Sequence, residues 1–248
     1  NLNQSLIQRA LRVYIQGVYR WCMVCERRVP LAILRPMPAY MRTKKGPDMC
    51  SAAITGSGVF TPEHSITNDE LVVAFNAHAD LFNAENGGAI AAGTMAAKPH
   101  SSSEFIFAAS GIERRYVLDK AGVLDPARMC PKLPDRSDDD PSLMAEMAVD
   151  AALQAMAQAG KSADDIDAVI CAASNHERAY PAVAIEIQDL LGIQGFAFDM
   201  NVASSAATFA IHAAADMLKA GSIHSSLVAS PDICSAHPHW HDRDSHSL

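Results

Sequence analysis

The chain has 248 residues, of which 49% are apolar, 19% charged and only 6% aromatic, with a formal net charge of −8. This composition supports one large buried core and excludes extended disorder. An acidic, aromatic-poor surface suits neither a phosphate backbone nor stacked bases, so no nucleic-acid partner is expected.

The charge divides the chain. Residues 1–48 carry nine Lys or Arg against two acidic residues, while the body that follows carries the acidic excess. The first 48 residues therefore read as a basic extension outside the fold. Apolar runs there, such as Val29 to Leu34, are broken by charges and prolines well short of the roughly 20 residues of a membrane span. Arg9, Arg12 and Arg20 interrupt any signal-peptide core. Neither a membrane span nor a secretory leader is expected. Cys22 and Cys25 form a lone C-x-x-C, two ligands short of a zinc site. The six cysteines lack the regular spacing of a disulfide framework, which points to reduced thiols and a cytoplasmic setting.

The folded domain is expected over residues 49–248, opening at Met49. Ala52 to Phe60, with Gly56 and Gly58, reads as a short strand ending at Thr61-Pro62. Thr67 caps a helix from Asp69 to about Ala79 with an acidic first turn. The Gly- and Ala-rich stretch from Asn83 to Ser103 lacks periodicity and reads as a surface loop, followed by Phe105 to Val117 with its Gly111-Ile112-Glu113-Arg114-Arg115 core. The acidic run Asp135 to Asp140 has residue types that suit hard cations, but it lacks the spaced Gly and Glu of a calcium loop and reads as a solvated linker. Pro141-Ser142 opens a helix through Ala159, stopped by Gly160. Ile166 to Ala173 is an apolar, β-branched strand, and Pro181 to Leu191 a helix closed by Gly192. This alternation of strands and helices predicts an α/β domain with crossover connections.

The stretch from Phe196 to Gly221 carries the chemistry. An apolar strand, Phe196 to Val202, runs into Ala203-Ser204-Ser205 and then a helix through Lys219 that is nearly all Ala, Ile, Phe, Met and Leu. A side chain at such a junction sits over the first helical turn, where free N–H groups and the positive end of the helix dipole stabilise an anion. Taken alone, Ser204 there reads as a helix cap.

Six pieces in register, from about Ile54 to the C-terminus, give the chain its resemblance to a known family. They are Ile54-Thr55-Gly56-Ser57-Gly58 with Thr61-Pro62; Ser110 to Arg115; Ala163-Asp164-Asp165-Ile166-Asp167; Pro181 with Ile185, Gln188 and Leu191-Gly192; Phe198 to Ala203; and Asp242 to His246. The chain resembles the first half of the β-ketoacyl-acyl-carrier-protein synthase III family of the thiolase superfamily. The resemblance implies a thiolase-like αβαβα fold, present here as its first half only, within a homodimer. It implies acyl transfer from coenzyme A to a cysteine, then decarboxylative Claisen condensation with a malonyl thioester on acyl-carrier protein, in fatty-acid or related biosynthesis. No bound cofactor or metal is implied; coenzyme A enters as the thioester substrate.

That cysteine falls on Ser204 here, and a hydroxyl is far less acidic than a thiol, so condensation is expected to be inactive or impaired. The family's catalytic His and Asn are expected beyond Leu248. Phe105 lies near the place where the family often carries an adenine-stacking aromatic, with core packing as its other reading. Arg114 and Arg115 read either as salt-bridge partners or as attractors of a coenzyme A phosphate or acidic carrier protein. Asp199 and Asn201 read as shaping the turn. Two other functions stay open: a non-catalytic partner of an active homologue, and an acyl-serine transferase or hydrolase. The latter needs a base near Ser204, for which His176 and His212 are candidates. His212 lies about 12 Å along the same helix, too far for a direct hydrogen bond. His237, His239, His241 and His246, near Cys234, have zinc-ligand chemistry, but their spacing fixes no geometry and they read as loop.

Overall fold

The computed structural model describes residues 52–137 and 139–247. The basic extension, Met49 and the Cys22/Cys25 pair lie outside the described residues. Among the described residues, no helix is long and apolar enough to cross a membrane.

The fold is mixed α/β and is organised by strand β3, Ala168–Ala173, every residue of which is buried. It pairs in parallel with β4, Phe196–Asn201, on one side and with β5, Ser226–Ala229, on the other, giving the order β4-β3-β5. Two-residue alternation sends its side chains to opposite faces. Val169, Cys171 and Ala173 pack into a core with helices α5, Leu143–Ala159, and α6, Val183–Leu191. Ile170 and Ala172 pack against Ala206, Ala210 and Ala214 of helix α7, Ala206–Lys219. Those three alanines recur every four residues, so their small side chains form one stripe that lets the α7 backbone approach the sheet closely. The result is one αβα sandwich. The connection from β3 to β4 runs one way across the sheet and that from β4 to β5 runs back, so α6 and α7 cover opposite faces.

Local chemistry sets the helix ends. Ser142 caps α5 by accepting from the Ala145 N–H at 3.1 Å, and Gly160 closes it at φ 63°. Gly192 closes α6 at φ 70°, a left-handed conformation that glycine adopts without a Cβ penalty.

A second core lies beside the sandwich. Strand β1, His64–Thr67, and strand β2, Arg114–Val117, pair antiparallel, and helix α1, Asn68–Glu85, follows β1. Short helix α2, Gly87–Ala91, helix α3, Ser103–Ser110, and short helix α4, Lys120–Val123, complete it. Their apolar centre is Ile66, Leu71, Phe75, Ile106, Val117, Val123, Met129 and Trp240. Thr67 and Glu70 form a reciprocal capping box on α1, so the helix starts at Asn68 and runs to Glu85, beyond the expected Ala79.

Two expectations require correction. Residues 52–60 form no strand: they run extended along α5, where Gln158 and Gln154 side chains take the Ser57 and Val59 N–H groups that a neighbouring strand would have taken. Gly56 and Gly58 are needed there, because a Cβ at either would strike a backbone carbonyl of α5, Ala155 or Ala151. The expected loop 83–103 contains the end of α1 and all of α2. Helix α3 follows directly, because Ser102 Oγ accepts from the Phe105 N–H and Gly111, at φ 69°, provides the stop.

Candidate active site

The end of β4 leads into a single turn of 3₁₀ helix, Ala203–Ser205, and then directly into α7. Ala203 holds φ 45°, which side chains other than Gly rarely adopt and which turns the chain sharply at the corner. Asn201 Oδ1 accepts weakly from the Ala203 N–H at 3.5 Å, inside the same turn. Ser204 is exposed, and among the described residues its hydroxyl has no hydrogen-bond partner. It does not act as the cap: Ser205 occupies that position and makes no side-chain cap bond, while the Ser205 and Ala206 N–H groups bond back to the Val202 and Ala203 carbonyls of the turn. Around the corner Val202, Phe209 and Ile211 are exposed, so the apolar rim of α7 is uncovered.

Beneath the corner, Asp199 fixes β4 to α6. Its carboxylate accepts from the Val183 N–H at 2.9 Å and the Ala184 N–H at 2.8 Å, an N-terminal position that favours its negative charge. His176 Nε2 lies 3.7 Å from the same carboxylate, tied to that group and not to Ser204. His212 is exposed on α7 and pairs with Asp216 one turn on, at 3.4 Å. Neither histidine hydrogen-bonds the Ser204 hydroxyl among the described residues.

Phe105, Arg114 and Arg115 belong to the second core, away from the alanine-lined face under Ser204. Arg115 is largely buried: it donates to the His246 carbonyl at 2.7 Å and to Asn68 Oδ1 at 3.3 Å, and it lies 6.0 Å from the Trp240 ring. It has no carboxylate partner among the described residues, and burial lowers its pKa to about 10. Its place is that of a strut holding the 240–247 segment. Arg114 is exposed at the rim of a shallow depression of about 520 Å³, shared with Phe107, Gly111, Ile112 and Glu113. Phe105 carries the Arg243 guanidinium 3.7 Å above its ring. Sequence reasoning did not single out Arg243, though it lies in the Asp242 to His246 piece; their approach depends on a fold that returns the C-terminal segment to α3.

The C-terminal histidines spread out. His239 and His241 stack edge-on at 5.4 Å, His237 lies 3.0 Å from the Asn175 amide, and His246 is fully buried, its Nε2 facing the Trp240 carbonyl at 2.8 Å. They form no common ligand set among the described residues.

Residues 198–248, from the middle of β4 through the corner to the end, match the family model for 3-oxoacyl-[acyl-carrier-protein] synthase III. A β-ketodecanoyl-[acyl-carrier-protein] synthase of Pseudomonas aeruginosa is 51% identical over 175 residues, covering 71% of this chain and 50% of that protein. This chain belongs to the β-ketoacyl-acyl-carrier-protein synthase III family. It spans about half the length of the known relatives it matches. The fold agrees. A 3-oxoacyl-[acyl-carrier-protein] synthase III of Aquifex aeolicus superposes with a TM-score of 0.58 at 22% identity, over 79% of this chain and 49% of that one. A cysteine-to-serine variant of Xanthomonas campestris OleA, solved with bound lauric acid and lauroyl-CoA, gives 0.53 at 20% identity, over 73% and 44%. The architecture is thus thiolase-like.

Proposed function

We propose that the chain is the acyl-accepting part of a synthase III-type acyltransferase, with Ser204 at the nucleophile position, and that the serine leaves it inactive or severely impaired. The observation that supports this most is the corner itself: an exposed hydroxyl, set by a left-handed residue at the end of a parallel strand, directly before the positive N-terminal end of a helix. In the proposed reaction the nucleophile attacks the carbonyl of an acyl-coenzyme A, the tetrahedral oxyanion is held by backbone N–H groups, and the carbon–sulfur bond breaks to release coenzyme A as a thiol, which takes the proton that the nucleophile gives up. The acyl group then meets the enolate left when a malonyl thioester on acyl-carrier protein loses carbon dioxide. The His and Asn for that second step are proposed to come from the second half of the family fold. With a thiol, the helix N-terminus supplies part of the ionisation the attack needs; a serine hydroxyl is too weakly acidic for the same help to suffice.

Phe105, Arg114 and Arg243 are proposed to meet the coenzyme A end of the donor. Admitting a flat ring between Phe105 and Arg243 requires opening their 3.7 Å contact to about 7 Å, twice a normal contact distance. The uncovered rim of α7 is proposed to be covered by the rest of the family fold within a cytoplasmic homodimer.

Intact-mass measurement after incubation with acetyl- and octanoyl-coenzyme A tests the reading. The Ser204→Cys variant gains one acyl mass and the natural chain gains none; a folded Ser204→Cys protein that stays unlabelled refutes it.

A further inference from the structure

The register of the parallel sheet places Cys171 of β3 directly beside Asp199 of β4. Both side chains point to the α5/α6 face, and the loop after β3 folds His176 back over them. The Cys171 Sγ, a His176 ring nitrogen and an Asp199 carboxylate oxygen all lie within 4.8 Å of one another. We propose that these three side chains form a site for a borderline-soft divalent cation of the zinc class.

Sulfur, imidazole and carboxylate together are the donor set such ions take. Three protein ligands leave a fourth position for water, and tetrahedral ligand atoms stand about 3.3–3.8 Å apart at normal bond lengths. The His176–Asp199 pair already spans 3.7 Å. The cluster lies toward the carboxyl ends of the parallel strands, the end at which such sheets bind ligands.

The surroundings support the set. The Val183 and Ala184 N–H groups orient the Asp199 carboxylate as outer-shell donors do, and each of its oxygens keeps a second lone pair for a cation. The Cys171 thiol is fully buried, and the negative charges of Asp199, Asp232 and Glu186 face it, so the pocket disfavours a bare thiolate and favours a cation. His176 and Asp199 side chains keep 11% and 19% of their exposure, which opens the cluster to solvent on one side. Binding exchanges the Cys171 proton for the metal and releases that proton to solvent. The bound ion would clamp the loop after β3 to the two central strands. None of this depends on acylation at Ser204.

Cobalt(II) titration of the full chain, with Cys22→Ser and Cys25→Ser introduced to silence the C-x-x-C, tests the site. One equivalent binds with a thiolate-to-cobalt charge-transfer band, and zinc displaces it. Cys171→Ala abolishes the band, and His176→Ala weakens affinity by more than the roughly 10- to 100-fold that loss of an outer-shell partner costs. His176 lies in a loop, so its variant tests the site even if Cys171→Ala fails to fold. A folded chain with no band, a band that survives Cys171→Ala, or unchanged affinity in His176→Ala overturns the proposal.

Discussion

The two cores are held together by different means. The sandwich closes through local crossovers: β3, α6, β4, α7 and β5 follow one another, and alanines on α5 and α7 set the layer spacing. The second core closes only when Trp240 and His246 return to α1, α3 and β2 from the far end of the chain. Its β1–β2 ribbon has just two strands, which are marginal without a packed face. The sandwich is therefore expected to be the stable scaffold of the corner, and the second core the part that opens first.

Trp240→Ala separates the two most sharply. It removes a buried ring and is expected to cost about 3–5 kcal/mol. Amide exchange should show lost protection in β1 and β2 while β3 keeps its own; equal loss in both would make the molecule one cooperative unit. Ile170→Ala, on the α7 face of β3, is expected to cost about 2–5 kcal/mol in chemical denaturation and to expose both cores together. Ser142→Ala is expected to cost about 1–3 kcal/mol, because it removes the α5 cap and the 2.5 Å bond donated to buried Glu186, whose other partner is Arg178 at 3.2 Å.

The smallest effect is set by pH. Burial is the main cause that holds the His246 pKa below its ordinary value; Arg115 and Arg243 add to it, while the Trp240 carbonyl and Asp242 oppose it. The unfolded chain thus binds this proton more readily, so the contribution is complete above about pH 6.5 and is lost as the pH falls below it. A thermal melt series from pH 7.5 to 5 should show the second core weakening in the natural chain and less so in His246→Gln; a parallel response would remove His246 as the cause.

Legibility followed the same division. Ile166 to Ala173 announced itself because the apolar run Ala168 to Ala173, with its β-branched Val169 and Ile170, has few uses other than a buried parallel strand. The Thr67 cap was visible because it and the acidic first turn it precedes are adjacent in sequence. Strands His64–Thr67 and Arg114–Val117 were not, since each is only four residues long and largely polar, and the pairing links distant segments. Residues 52–60 misled because their backbone partners are glutamine side chains on a helix, which no local pattern shows. In the site, the corner around Ser204 was legible from an apolar strand running into an alanine-rich helix. The Cys171–Asp199 pairing depends on strand register, and the Phe105–Arg243 contact on a long return of the chain, so neither could be read locally.

The central claim is that the corner at position 204 stabilises a negative charge. Peptide-resolved alkylation of Ser204→Cys as a function of pH measures this without any substrate. The introduced thiol should ionise about one unit below the ordinary value near 8.5. Ionisation at or above that ordinary value would contradict the account.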